Sequence, residues 1–109
     1  MRILTSIPLE INTYTASTTL SLLDAGKLIL MNGGTTNDIT VPLNSVVAFP
    51  IGTQIVIIQK SSIKTNFTPI GGVTINSDSS KLSITSQYCG ATLIKTATNV
   101  WNLIGNLSA

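Results

Sequence analysis

Gln54-Ile55-Val56-Ile57-Ile58-Gln59 is apolar on both faces of an extended chain. Its β-branched residues are stiff at χ1 and fit a pleated strand better than a helix. A strand with water on one side alternates apolar and polar residues, and this one does not. It reads as the central strand of a sheet, or as a strand whose outer face meets another subunit.

On either side the chain alternates with period two. Ile39, Val41 and Leu43 alternate with Asp38, Thr40 and Pro42; Val73 and Ile75 with Thr74 and Asn76; Leu82 and Ile84 with Lys81 and Ser83. Ala91, Leu93 and Ala97 share one face of a later strand, and Trp101 and Leu103 one face of the last. Turn signals separate these runs: Asn32-Gly33-Gly34, Pro50-Ile51-Gly52, Pro69-Ile70-Gly71-Gly72, Asn76 to Ser80, and Thr98-Asn99. Short strands at this spacing predict an all-β single domain, an antiparallel β-sandwich or barrel. Only Thr18–Gly26 reads as briefly helical, with Gly26 as its stop, and Asn44–Ala48 as a single turn. No internal repeat stands out.

Residues 1–16 form an N-terminal arm or edge strand ahead of a module over residues 17–109. Pro8 sets off the apolar Met1–Ile7 stretch, which either closes the sheet or lies on a neighbouring subunit. Arg2, Ile3, Leu4, Ile7 and Leu9 are the candidate contact residues of such an arm.

The composition narrows the function. Among 109 residues, charged side chains are 9%, against roughly 25% in an average domain. Thr, Ser and Asn supply 37 residues, and Val, Ile and Thr also 37. Hydrophobic content of 43% argues against disorder, and the scarcity of Glu, Lys, Arg and Ala against long helices. The six cations are scattered, so no phosphate track forms and nucleic-acid binding is disfavoured. The N-terminus lacks the apolar run of a signal peptide, and no stretch approaches the roughly 20 apolar residues of a membrane helix. The chain reads as a soluble protein made in a cytoplasm.

Histidine is absent, which removes the commonest general base and metal ligand. The four carboxylates, Glu10, Asp24, Asp38 and Asp78, occupy turn or strand-end positions where Asp caps local backbone. Lys81 and Ser83 share a strand face, as neighbouring solvent-facing residues do routinely. The single cysteine, Cys89, reads as a small hydrophobe. No enzyme, cofactor or metal site is expected. Phe49, Trp101 and Leu103 are expected as core anchors. The 15 Ile and 12 Leu exceed what one small core hides, which points to an apolar strand face buried in an assembly.

A set of segments carries a resemblance. Gln87-Tyr88, Ala91 to Asn99 and Trp101 to Leu107 resemble the C-terminal β module of tailed-phage virion proteins. Phe49 to Gln59 is similar to that module's middle strand, and Asp24 to Lys27 to its opening. The likeness runs from about Leu20 to Leu107. It implies a homotrimer in the virion: a capsid decoration (cement) protein on the outer shell, contacting the major capsid protein. The alternative is a tail-fibre or spike tip gripping a host polysaccharide through Ser61–Asn66 and Asn76–Ser80. A chain of this size without a shaft resembles the cement proteins more closely.

Overall fold

The computed structural model describes residues 8–109. Eleven strands form two sheets: β1 (Ile11–Tyr14), β2 (Thr18–Thr19), β3 (Leu28–Met31), β4 (Asp38–Val41), β5 (Gln54–Gln59), β6 (Asn66–Pro69), β7 (Thr74–Ser77), β8 (Ser83–Ile84), β9 (Gly90–Ala97), β10 (Val100–Gly105) and β11 (Leu107–Ser108). Sheet A runs β1-β3-β5-β9-β10-β7 and sheet B runs β11-β8-β6-β4-β2. The all-β expectation is met, and the two facing sheets are sandwich-like.

The strand directions are not those expected. Instead of the antiparallel strands expected of the sandwich or barrel, β1, β3 and β5 lie parallel in sheet A, and β2, β4 and β6 lie parallel in sheet B. The chain passes from one sheet to the other at each connection, so consecutive strands never pair until the β9–β10 hairpin. The result is three stacked coils, closed by antiparallel strands: β9 on β5 and β8 on β6. Period-two alternation sets which side chains face inward. It carries no information on the direction of the neighbouring strand, which is why the pattern did not separate the two topologies.

The coils also contain a repeat that side-chain identity conceals. Leu28 pairs with Val56 and Asp38 with Asn66, the same offset of 28 residues in both sheets. Residues 28–41 and 56–69 are thus structural equivalents, although Met31 stands against Gln59 and Val41 against Pro69. Between their strands, buried amides hold the two arcs together. Asn37 Oδ1 accepts from the Gly33 N–H (2.9 Å), and Asn37 Nδ2 donates to Thr65 Oγ1 (2.9 Å) and to the Ile63 carbonyl (3.0 Å). In the next arc Gln59 Oε1 accepts from the Thr65 N–H (2.9 Å). These groups lie out of water, so the bonds replace ones to solvent that the backbone of a bending chain would lose.

The core lies between the sheets. Ile29, Ile55, Ile57, Leu93, Trp101 and Leu103 face in from sheet A, and Ile39, Val41, Phe67 and Ile84 from sheet B. Phe49 arrives from the loop after β4 and meets Trp101 edge to face, with ring centroids 5.3 Å apart. The three expected anchors, Phe49, Trp101 and Leu103, are all buried. The doubly apolar run Gln54–Gln59 is β5, interior to sheet A, with Ile55 and Ile57 inward and Val56 and Ile58 on the outer face. Thr18–Gly26 divides into β2 and a short 3-10 turn, Leu22–Asp24, with Gly26 at φ +71°. At Asn44–Ala48 the Val46 and Val47 N–H groups both donate to the Leu43 carbonyl, closing one turn.

Candidate assembly surface

The first coil ends the stack, and its exposed end is set by a local motif, Ser21-Leu22-Leu23-Asp24. Ser21 Oγ accepts from the Leu23 N–H (3.3 Å), and Asp24 Oδ2 accepts from the Ser21 N–H (3.0 Å), a capping box on one short turn. This draws Asp24 fully inside. There its Oδ1 accepts from Tyr14 Oη (2.6 Å) and Asn12 Nδ2 (3.0 Å), both from edge strand β1. Burial, then the hydrogen bond to Asp24 and the charge of that carboxylate, push the Tyr14 phenol up to about 12.

With Asp24 turned in, Leu22 and Leu23 turn out, 58% and 72% exposed. Leu23 shares a shallow cleft of about 360 Å³ with Ile11, Asn12, Thr13, Tyr14 and Lys27. A neighbouring cleft of about 270 Å³ is lined by Pro8, Leu9, Glu10, Ala25, Gly26 and Lys27. Lys27 stands between them, paired with Glu10 at 3.3 Å. Leu9, Ile11, Leu22 and Leu23 therefore expose four large aliphatic side chains beside β1, which among the described strands pairs only with β3. Such a grouping is a marker of protein contact.

Leu9 alone of the arm's candidate contact residues falls in this region; Arg2, Ile3, Leu4 and Ile7 lie outside the described residues. Leu22 and Leu23 were not singled out from sequence, although two adjacent leucines inside a three-residue turn cannot both face the core. Asp24 and Lys95 were missed as buried groups. For Lys95 the signal was parity, since it falls on the inward side of β9 with Ala91 and Leu93.

The outer face of sheet B is of another kind. Thr19, Thr40 and Thr68 stand in register across β2, β4 and β6. Beside them Asn66 Nδ2 donates to Asp38 Oδ1 (2.9 Å), and Ser83 Oγ donates to Asn66 Oδ1 (2.6 Å). Ser83, Asn66 and Asp38 thus form one hydrogen-bonded chain beside the threonine row. Of the two candidate loops, Ser61–Asn66 leads into this face, and Asn76–Ser80 crosses from β7 into a short 3-10 turn.

The chemistry-bearing residues are kept apart. Glu10 pairs with Lys27, Asp24 holds Tyr14, Asp38 holds Asn66, and Asp78 lies 4.0 Å from Lys81. Ser83 turns toward Asn66 and is buried, so it does not share a solvent face with Lys81. Cys89 is part-buried against the core, 3.3 Å from Ser86 Oγ. Among the described residues no three His, Cys, Asp or Glu side chains are grouped to hold a metal ion. No described helix is long and apolar enough to cross a membrane. No family model matches the chain, and no curated protein matches it.

Proposed function

We propose that the protein is a capsid decoration (cement) protein of the tailed-phage type, bound outside the shell and reinforcing contacts between major capsid subunits. The observation that carries the reading is the apolar end of the first coil, where Leu9, Ile11, Leu22 and Leu23 flank two shallow clefts beside β1, the edge strand of sheet A among the described residues. The mechanism is passive. These aliphatic side chains bury against the shell, and the association free energy opposes pressure from within. A trimer, as the resemblance implies, makes three such contacts at once, so weak individual contacts hold together. Pro8 and Leu9, the last residues of the Met1–Leu9 segment, line one of these clefts.

The test is the copy number of the protein in purified virions, relative to the major capsid protein, by quantitative mass spectrometry. A ratio near that of the shell protein supports decoration; absence from particles overturns it. Deleting residues 1–9, or changing Leu22 and Leu23 together to Ser, abolishes attachment while the domain stays folded. A variant that still decorates particles removes this surface from the mechanism.

The second reading, a fibre or spike tip binding host polysaccharide, draws on the outer face of sheet B, where Thr19, Thr40 and Thr68 align. A few copies per virion and saturable binding on a glycan array favour it.

A further inference from the structure

We infer that the turn Ser86–Cys89 is a sugar-binding site, with the ring of Tyr88 as the platform for one pyranose ring. The Cys89 N–H closes the turn by donating to the Ser86 carbonyl (3.1 Å). Tyr88 stands third in it at φ +67°, where glycine or asparagine is the unstrained choice and a bulky side chain is an outlier. Three hydrogen bonds pin the turn to the end of β5. The Tyr88 N–H donates to the Gln59 carbonyl (2.7 Å), the Gln59 N–H to the Cys89 carbonyl (3.0 Å), and Gln87 Nε2 to the Lys60 carbonyl (3.1 Å). None of them uses the Tyr88 side chain, which is 75% exposed. An aromatic ring is thus held in water at a backbone position that disfavours it, and the core draws no packing from it. Strain that the packing does not use points to a contact made outside the chain.

The neighbours decide the occupant. Phe49, Phe67 and Trp101 are buried and Tyr14 is bonded to Asp24, so among the described residues Tyr88 alone offers an open aromatic face. Lys60, Ser62, Thr85, Ser86 and Gln87 on the same edge are exposed, and bring ammonium, hydroxyl and amide groups with no large aliphatic side chain and no carboxylate. A protein partner is met by several apolar side chains together, as at Leu22 and Leu23. A pyranose needs the other mixture: one aromatic face for its C–H groups, and polar groups around it for its hydroxyls. The Ser61–Asn66 loop of the second reading, which has no aromatic of its own, leaves β5 beside this turn. The site goes beyond decoration and does not compete with it. Gly26, just after the Leu22–Asp24 turn, donates to the Gln54 carbonyl at one end of β5, and Tyr88 bonds Gln59 at the other. Those ends are about 17 Å apart along the strand.

The experiment is an array of bacterial surface oligosaccharides probed with the purified full chain, wild type and variants, with urea denaturation of each. The wild type is expected to bind saturably. Tyr88→Gly lowers binding at least tenfold and leaves the urea midpoint at or above that of wild type, because glycine takes a positive φ freely. Tyr88→Trp keeps binding. If Tyr88→Gly does not fold, Tyr88→Asn, which tolerates the same φ, takes its place. An array without hits overturns the inference, as does a urea midpoint that falls in both variants, which would make the ring part of the packing. Binding that survives the loss of the ring but disappears in Thr40→Lys with Thr68→Lys also overturns it, and keeps the second reading on sheet B. All of these results leave shell attachment through Leu22 and Leu23 standing, because that is read from virions and not from sugar binding.

Discussion

Lys95 Nζ donates to the Asn44 side-chain carbonyl and to the Phe49 backbone carbonyl (2.8 Å), joining an inner strand of sheet A to the loop that leaves sheet B. The residue is 2% exposed and has no carboxylate beside it, since all four carboxylates bond elsewhere. Burial lowers its affinity for a proton below the ordinary 10.5. Between the lowered folded value and 10.5 the unfolded chain binds more protons than the folded one. Stability therefore rises with pH across that window, and this contribution is lost as pH falls through the folded value. Lys95→Met removes the charge, yet leaves two carbonyls without a donor. We expect it to stay within about 1.5 kcal/mol of wild type at neutral pH. Urea midpoints measured up to pH 10.5 should rise in the wild type relative to Lys95→Met; parallel profiles would show that Lys95 is not desolvated.

Tyr14 titrates with the opposite sign. Its phenol, raised to about 12 by burial and by Asp24, keeps its proton where the unfolded chain has lost it, so its contribution is full below pH 10 and disappears between 10 and 12. In a Tyr88→Phe background the phenolate absorbance reports Tyr14 alone, and its midpoint is expected near 12. Tyr14→Phe leaves the buried Asp24 carboxylate one donor short and costs about 1–3 kcal/mol. An absorbance midpoint near the ordinary 10 would remove the Tyr14–Asp24 bond from the account.

Trp101 is the largest side chain fully inside the core, and it meets Phe49 edge to face. Trp101→Ala is expected to cost about 3–5 kcal/mol, through lost transfer energy and the cavity left behind. Phe49→Leu keeps most of the volume and loses the aromatic contact, a smaller cost of about 1–2 kcal/mol. Chemical denaturation measures both, and a Trp101→Ala variant as stable as wild type would contradict the packing described.

Inward and outward positions were legible in the sequence, because a pleated strand converts alternation directly into burial. Ile39, Val41, Ile84, Leu93 and Trp101 face the core as their spacing implied. Strand direction was not legible: Ile55 is equally at home beside a parallel or an antiparallel neighbour. The 28-residue repeat was obscured because equivalent positions share a role and not an identity. Gln59 and Asn37 each satisfy an arc's backbone from a different place in it. Of the candidate surface, Leu9 was visible as an apolar residue after Pro8. Leu22 and Leu23 were not, because their exposure depends on Asp24 finding Tyr14 and Asn12 from an edge strand ten or more residues away. An inward Lys95 breaks the rule that charge stays outside, so composition overruled parity at a position where parity was right.

The arc between β3 and β4 offers a sharper test of the coil. A Cβ on Gly33 would overlap the Thr36 carbonyl oxygen and crowd Asn37 Oδ1 at 2.7 Å, the atom that accepts from the Gly33 N–H. Gly34, next in sequence, has open space around it. Gly33→Ala must therefore shift backbone and disturb the Asn37–Thr65 contact that joins two coils, a loss of about 2–4 kcal/mol. Gly34→Ala is expected to change stability by less than about 1 kcal/mol. Hydrogen exchange adds the location: in Gly33→Ala the Gly33 and Thr65 amides should lose protection together, since one buried amide side chain links their arcs. Equal effects of the two alanines would mean that the arc is not closed by Asn37, and that the parallel coils are held by their strands alone.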